Sequence, residues 1–164
     1  VRYRRFEEFA VAIGIDADPV QMADDFVREL GANGELYDGA IDVLEILSQA
    51  ASLALITNGL SEVQRARIER LGIGDYFDAI VISAEVNAAK PGEKIFDLVF
   101  DGLGSPARET AVMVGDSLAS DIKGGANYGI ATCWYNPHGK KTPREDIVTH
   151  EITALDELHR LVIL

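Results

Sequence analysis

The sequence has few of the features that mark secreted, membrane-spanning or nucleic-acid-binding proteins. Its 164 residues include one cysteine, Cys133, so the chain forms no internal disulfide and we expect a reducing compartment such as the cytoplasm. No apolar run approaches the roughly 20 residues that a membrane span requires, which argues against membrane insertion. Basic residues are outnumbered, 15 against 27 acidic ones, and the net charge of −12 opposes binding to a nucleic acid polymer. A small phosphorylated metabolite can still bind, because it needs only a few local donors or a metal ion.

Helical and short apolar segments alternate from residue 39 onwards. The stretches LALIT, AIVIS, AVMVG and IATCWY predict four buried strands. Helices are expected at 39–50, 61–72, 93–103, 118–129 and 154–164, the second of them opened by a capping box of Ser61 and Gln64. This alternation is typical of a parallel sheet with helices on both faces, and it predicts a doubly wound α/β fold. In the last strand we expect Cys133 to be a buried small hydrophobe and Trp134 to pack on the core with its polar edge outward.

The first 36 residues are predicted to form a pair of helices. Gly14 ends the first helix, and Asp18 followed by Pro19 is an N-cap with proline at the first position of the second. Between them the segment IGIDADPVQ carries Asp16 and Asp18, and it has two interpretations. It is either a strand that delivers two carboxylates to a catalytic loop or a capped turn between helices. The helical period before it and the proline after it favour the turn.

Polar side chains are expected where three of the predicted strands end, which is where doubly wound sheets bind ligands. Thr57 and Asn58 follow one apolar run and can meet an anion or simply form a turn. Lys90, held extended by the proline that follows it, can neutralise a phosphate or remain a solvated loop lysine. In VMVGDSLASDI, Asp116 lies at a strand tip and Asp121 about one turn into the next helix, so two carboxylates can face one Mg²⁺. The structural alternative is that Asp121 only complements the helix dipole.

The motifs LITNG, KP and GDSLASD, in this order, resemble the second, third and fourth motifs of the haloacid dehalogenase (HAD) superfamily of phosphohydrolases. Longer stretches, such as LITNGLSEVQRARIERLGIGDYFDAIVIS and GDSLASDIKGGANYGIATCWYN, resemble the branch that contains pyrimidine 5'-nucleotidases and carries a helical cap after the first strand. The resemblance covers essentially the whole chain. It implies an HAD-like Rossmannoid core in residues 37–164 and part of a helical cap in residues 1–36.

The resemblance also implies a role for each residue at the strand ends. Thr57 would bind the transferring phosphoryl group with help from Asn58, and Lys90 would stabilise its charge. Asp116 would coordinate Mg²⁺, and Asp121 would support the metal directly, through water, or by orienting Lys90. The family's chemistry is attack by an aspartate to give an aspartyl phosphate, which is then hydrolysed. The expected function is that of a Mg²⁺-dependent phosphomonoester hydrolase, with a nucleoside monophosphate as one candidate substrate.

One part of the family pattern has no match. The first motif, an apolar strand followed by an Asp-x-Asp-x-Thr-like loop, supplies the nucleophile and the acid, whereas IGIDADPVQ continues with Pro-Val-Gln. We therefore expect the nucleophile segment and the first, central strand to lie outside this chain, and this chain alone to be inactive. Two alternatives stay open. One is a haloacid dehalogenase, which needs no metal, and the other is a noncatalytic phosphate-binding or interaction protein on the same fold.

Overall fold

The computed structural model describes residues 2–141 and 145–162 of the chain. Its helices are α1 (Arg2–Ile13), α2 (Pro19–Ala32), α3 (Ala40–Ala50), α4 (Ser61–Leu71), α5 (Ser83–Val86), α6 (Glu93–Gly102), α7 (Lys123–Tyr128) and α8 (His159–Val162). Its strands are β1 (Ala54–Thr57), β2 (Ala79–Ile82), β3 (Val112–Gly115), β4 (Ala131–Tyr135) and β5 (His150–Ile152). The final two residues of the predicted closing helix lie outside the described residues. No described helix has both the length and the apolar character needed to cross a membrane.

The N-terminal helical pair forms as its local signals predict. Gly14 ends α1 with a φ of +70°, a value that favours glycine because it has no Cβ. The Asp18 carboxylate caps α2 by accepting a hydrogen bond of 2.9 Å from the backbone N–H of Val20. The rings of Phe6 and Phe26 hold the two helices together, with 5.4 Å between their centroids. The Asp-x-Asp segment is therefore a turn between helices and not the end of a strand.

Helix α2 is joined to the rest of the molecule through α4. At Gly31 the helices approach so closely that an added Cβ would stand 3.1 Å from the Cβ of Ala66. The guanidinium of Arg67 donates to the backbone carbonyls of Leu30 (2.9 Å) and Asn33 (3.1 Å), at the C-terminal end of α2. Carbonyls there have no partners within their own helix, and a cation also complements the dipole. The arginine thereby ties the helical pair to the α/β part.

All observed strand pairings are parallel, as the continuous apolar runs predicted. Strand β1 pairs with β2, and β3 pairs with β4, which pairs with β5. Within the described residues β1 and β3 are not paired with each other, so each uses one hydrogen-bonding edge. Every residue of β1 is only half-buried although the strand is apolar. The strand β5 was not predicted, because two of its three residues are exposed and polar.

Two apolar clusters hold the helices on the strands. The larger is built around α6 and contains Ile95, Phe96, Val99 and Phe100 together with Val81, Met113, Tyr128 and Ile130. The second joins α3 to β4 and β5 and contains Val43, Leu47, Cys133, Ile152 and Leu158. Cys133 is fully buried, as predicted, and desolvation raises the pKa of its thiol to about 11. Its role is therefore that of a small core hydrophobe.

The predicted capping box of α4 is wrong. The N-cap is Leu60, and no side chain caps this helix end. The Ser61 hydroxyl instead donates to the carboxylate of Glu85 at 2.5 Å, and the Gln64 amide donates to the carbonyl of Asn58 at 3.4 Å. Ser61 thus binds a residue of α5, after β2, and Gln64 binds the loop after β1.

Candidate functional site

The end of β1 and the loop that follows it carry the first two candidate residues, Thr57 and Asn58. The Thr57 hydroxyl has one long contact, 3.5 Å to the carbonyl of Asn58, and so it remains free to meet a ligand. The amide N–H of Gly59 donates to the Ser83 hydroxyl at 3.0 Å, which fixes the loop against the end of β2. The Asn58 amide makes two hydrogen bonds to the backbone of Lys90. Its nitrogen donates to the carbonyl at 2.9 Å, and its oxygen accepts from the N–H at 3.0 Å.

Lys90 is the side chain that joins the strand ends. Its Nζ donates to the carbonyl of Ile56 in β1 at 2.7 Å and to Oδ1 of Asp121 at 2.7 Å. The two side chains of this ion pair are 9% and 8% exposed, so solvent screens their attraction little. An ammonium has three N–H donors, and two are occupied. The third is available to an oxygen of a ligand.

The segment after β3 orients Asp121 toward the lysine. The backbone N–H groups of Asp121 and Ile122 both donate to the carbonyl of Ser117, at 2.9 and 3.2 Å, which opens the helix with a π turn. Ser117 is the N-cap, and its hydroxyl accepts from the N–H of Ser120 at 3.2 Å. The Asp121 carboxylate also accepts from the Ser117 N–H (3.1 Å) and the Ser120 hydroxyl (3.2 Å). Asp121 is thus a fully engaged partner of Lys90.

Asp116 differs from Asp121 in being exposed. Its carboxylate has no hydrogen-bond or ion-pair partner among the described residues, while its carbonyl accepts from the indole N–H of Trp134 at 3.0 Å. Trp134 is 2% exposed, so the expectation that its polar edge faces outward is wrong. Trp134 was not predicted to be part of the site, because an apolar strand pattern does not indicate the direction of a tryptophan N–H.

The donor set at Asp116 is compatible with Mg²⁺ but incomplete. Mg²⁺ is commonly held by one or two carboxylates, with waters and substrate phosphate as the other ligands. Asp116 offers one free carboxylate, and Asp121 is neutralised by Lys90. No group of three His, Cys, Asp or Glu side chains that could hold a metal exists in residues 2–141 and 145–162. The described residues at this site therefore offer one free carboxylate. A Mg²⁺ ion there would need further ligands, such as waters and substrate phosphate.

Gly115 is required by the position of the Asp121 side chain. A Cβ at residue 115 would stand 2.5 Å from the Cβ of Asp121 and 2.6 Å from its Cγ. We expect Gly115→Ala to displace the Asp121 carboxylate and to lower the free energy of unfolding by about 1–3 kcal/mol, the usual cost of overpacking. Urea unfolding measures this. Gly74→Ala is the control, since its new Cβ would meet only the Ile68 methyl group at 3.3 Å. Equal stability of the two variants would contradict the close packing.

A second cluster of polar residues joins α4 to α5, the helices that follow β1 and β2. Arg65 donates twice to the Glu85 carboxylate, at 2.9 and 2.7 Å, and Ser61 donates to it as well. The bonds from Arg65, followed by that from Ser61, lower the pKa of Glu85 from 4.5 to about 2. This cluster was not predicted, because Glu85 lies 20 residues from Arg65 and 24 residues from Ser61 in the sequence.

The lowered pKa of Glu85 predicts a defined pH dependence. A carboxylate whose pKa is depressed by folding adds stability above its unfolded pKa, and that stability is lost as the pH falls from 4.5 toward 2. Glu85→Gln should therefore be less stable than the wild type at neutral pH, and the difference should shrink through this window. Urea unfolding at several pH values tests it. Glu69→Gln, at an exposed position, is the control and should show a small difference at every pH.

The structure thus joins three of the five candidate residues by direct contacts. Asn58, Lys90 and Asp121 form one connected group, and Thr57 lies beside it at the end of β1. Asp116 lies at the end of β3, next to the backbone that binds Asp121. The arrangement offers a hydroxyl, an ammonium and a free carboxylate at neighbouring strand ends. Such a set of groups can bind a phosphoryl group and its metal ion.

Comparison with known proteins identifies the family of this chain. A family model for haloacid dehalogenase-like hydrolases matches residues 2–129, so the chain belongs to this family. It is 38% identical to pyrimidine 5'-nucleotidase YjjG of Escherichia coli over 99% of this chain and 71% of that protein. Its fold is similar to that of the magnesium-bound HAD-hydrolase YfnB of Bacillus subtilis, with a TM-score of 0.86, 34% identity, and coverage of 99% and 72% of the two chains. A 2-haloacid dehalogenase of Pseudomonas syringae is also similar, with a TM-score of 0.80, 28% identity, and coverage of 99% and 70%.

Proposed function

We propose that this chain supplies most of the active site of a Mg²⁺-dependent phosphomonoester hydrolase. The observation that carries the proposal is Lys90. Its ammonium is held at the strand ends by two acceptors at 2.7 Å and keeps one N–H for a ligand, beside a free hydroxyl at Thr57. The unpaired Asp116 carboxylate supplies the opposite charge that a metal requires. The names of the magnesium-bound relative and the nucleotidase relative point to the same chemistry.

Each residue then has one task. The Thr57 hydroxyl and the free N–H of Lys90 bind oxygens of the phosphoryl group, and Asp121 orients the ammonium through their ion pair. Asp116 is the chain's ligand for Mg²⁺, which when bound neutralises charge on the phosphoryl oxygens. The ammonium, on a side chain that is 9% exposed, stabilises the negative charge that builds up during transfer.

The nucleophile is proposed to come from a strand inserted between β1 and β3. Each of these strands has an unpaired edge among the described residues, and β1 is half-buried despite its apolar sequence. A buried backbone group without a partner costs about 1–3 kcal/mol, so both edges favour an added strand. An aspartate at the end of that strand would lie between Thr57 and Asp116. The reaction then proceeds through an aspartyl phosphate, as the family resemblance implies.

The helical pair is proposed to be part of a cap over this site. Residues 1–36 would form this part of the cap, and residues 37–164 the α/β core. The support is structural: the pair packs on α4, whose N-terminal end lies next to the loop that carries Thr57 and Asn58. A nucleoside monophosphate is the proposed substrate, because the nucleotidase relative matches over 99% of this chain.

Phosphate release by the complete gene product tests the proposal. Nucleoside monophosphates should be hydrolysed with Mg²⁺, and EDTA should abolish the release until Mg²⁺ is restored. Chloride release from 2-chloropropionate that is unaffected by EDTA would instead establish a dehalogenase, the function that the similarity to the 2-haloacid dehalogenase favours. Failure of both reactions, with retained binding of orthophosphate, would leave the noncatalytic phosphate-binding function.

A further inference from the structure

We infer that Asn58 is a positioning residue that acts through Lys90. This inference rests on the proposed function, since it assigns a task within the same site. The Asn58 side chain accepts a hydrogen bond from the backbone N–H of Lys90 at 3.0 Å and donates one to the carbonyl of the same residue at 2.9 Å. The amide thus pairs with both polar groups of one backbone residue, as a neighbouring strand would.

The chemistry of the contact fixes which way the amide faces. A backbone N–H can only donate and a carbonyl can only accept, so the oxygen of Asn58 has to face the N–H of Lys90 and its nitrogen the carbonyl. With the amide reversed, both hydrogen bonds would be lost. The side chain therefore has one N–H left for any other partner, and binding phosphate with its full donor set would require it to release Lys90.

Lys90 is in this way held at both of its ends. Asn58 binds its backbone from the loop after β1, and Ile56 and Asp121 bind its ammonium at 2.7 Å each. A lysine side chain has several rotatable bonds and loses rotamer entropy when it is fixed. Anchoring the backbone lets the two ammonium contacts fix the remaining bonds. Thr57, the last residue of β1, directly precedes Asn58, so one short segment sets the distance between the hydroxyl and the ammonium.

A double-mutant cycle with Asn58→Ala and Lys90→Met in the complete gene product tests the inference. In the wild-type background, Asn58→Ala should lower kcat and weaken orthophosphate binding about tenfold, the effect of two lost hydrogen bonds. In the Lys90→Met background it should change neither, because there is no ammonium left to misplace. Orthophosphate binding is measured by calorimetry, so the cycle can be completed even if turnover becomes too slow. Asn33→Ala, which removes an amide bonded to a carbonyl of α2, is the matched control.

The possible results separate the alternatives. Equal losses from Asn58→Ala in both backgrounds would overturn the inference, because they would mean that the amide binds phosphate itself or only maintains the fold. A wild-type protein without phosphate binding or turnover would instead overturn the proposed function.

Discussion

Lys90→Met is expected to lower the free energy of unfolding by about 3–5 kcal/mol and to reduce kcat about 10²–10³-fold. The loss of stability follows because the Asp121 carboxylate, 8% exposed, would remain buried without its cation. The loss of activity follows because the ammonium that contacts both strand ends would be gone. Chemical denaturation and phosphate release by the complete gene product measure the two effects.

Two further variants separate the structural effect from the catalytic one. Lys90→Met combined with Asp121→Asn removes the unpaired charge, so it should recover much of the stability and none of the activity. Lys94→Met, at an exposed position of α6 and with no ion-pair partner among the described residues, should change neither quantity. If Lys90→Met proved as stable as Lys94→Met, the buried ion pair would not be what holds the two strand ends together.

Asp116→Asn is expected to reduce kcat/KM at least about a hundredfold and to leave the free energy of unfolding unchanged, because the proposed metal ligand is lost while no contact among the described residues is broken. The carboxylate is exposed and unpaired among the described residues. Calorimetric titration with Mg²⁺ should show weakened binding, and the activity should depend on a higher concentration of the metal.

The stability of this variant distinguishes a ligand from a structural residue. Asp101→Asn, which removes an exposed carboxylate near the end of α6, is the control and should leave Mg²⁺ binding intact. Unchanged Mg²⁺ binding in Asp116→Asn would remove this residue from the metal site. A large loss of stability would show instead that the carboxylate has a structural partner.

The features that were predicted correctly depend on local chemistry. Gly14 at the end of α1 and Asp18 at the start of α2 make bonds within one helical turn, so the sequence contains all the information. The same holds for the apolar runs that became parallel strands. The meeting of Lys90 with Asp121 followed from topology, because the ends of parallel strands lie at one edge of a sheet.

The features that were missed depend on choices between distant partners. Ser61 had a local partner in the capping box, but its hydroxyl binds Glu85, 24 residues away. The indole N–H of Trp134 binds the carbonyl of Asp116, and the amide of Asn58 binds the backbone of Lys90. Each of these groups has several candidate partners that it could bind with similar strength. The fold alone decides which one forms, so no local pattern contains the answer.

A crystal structure of the complete gene product with Mg²⁺ and orthophosphate tests the central claim most directly. We predict that the metal binds the Asp116 carboxylate and that phosphate oxygens lie within hydrogen-bond distance of Thr57 Oγ1 and Lys90 Nζ. An additional strand should lie between β1 and β3 and end in an aspartate that faces the phosphate. Direct pairing of β1 with β3, or phosphate and metal bound away from these residues, would contradict the account.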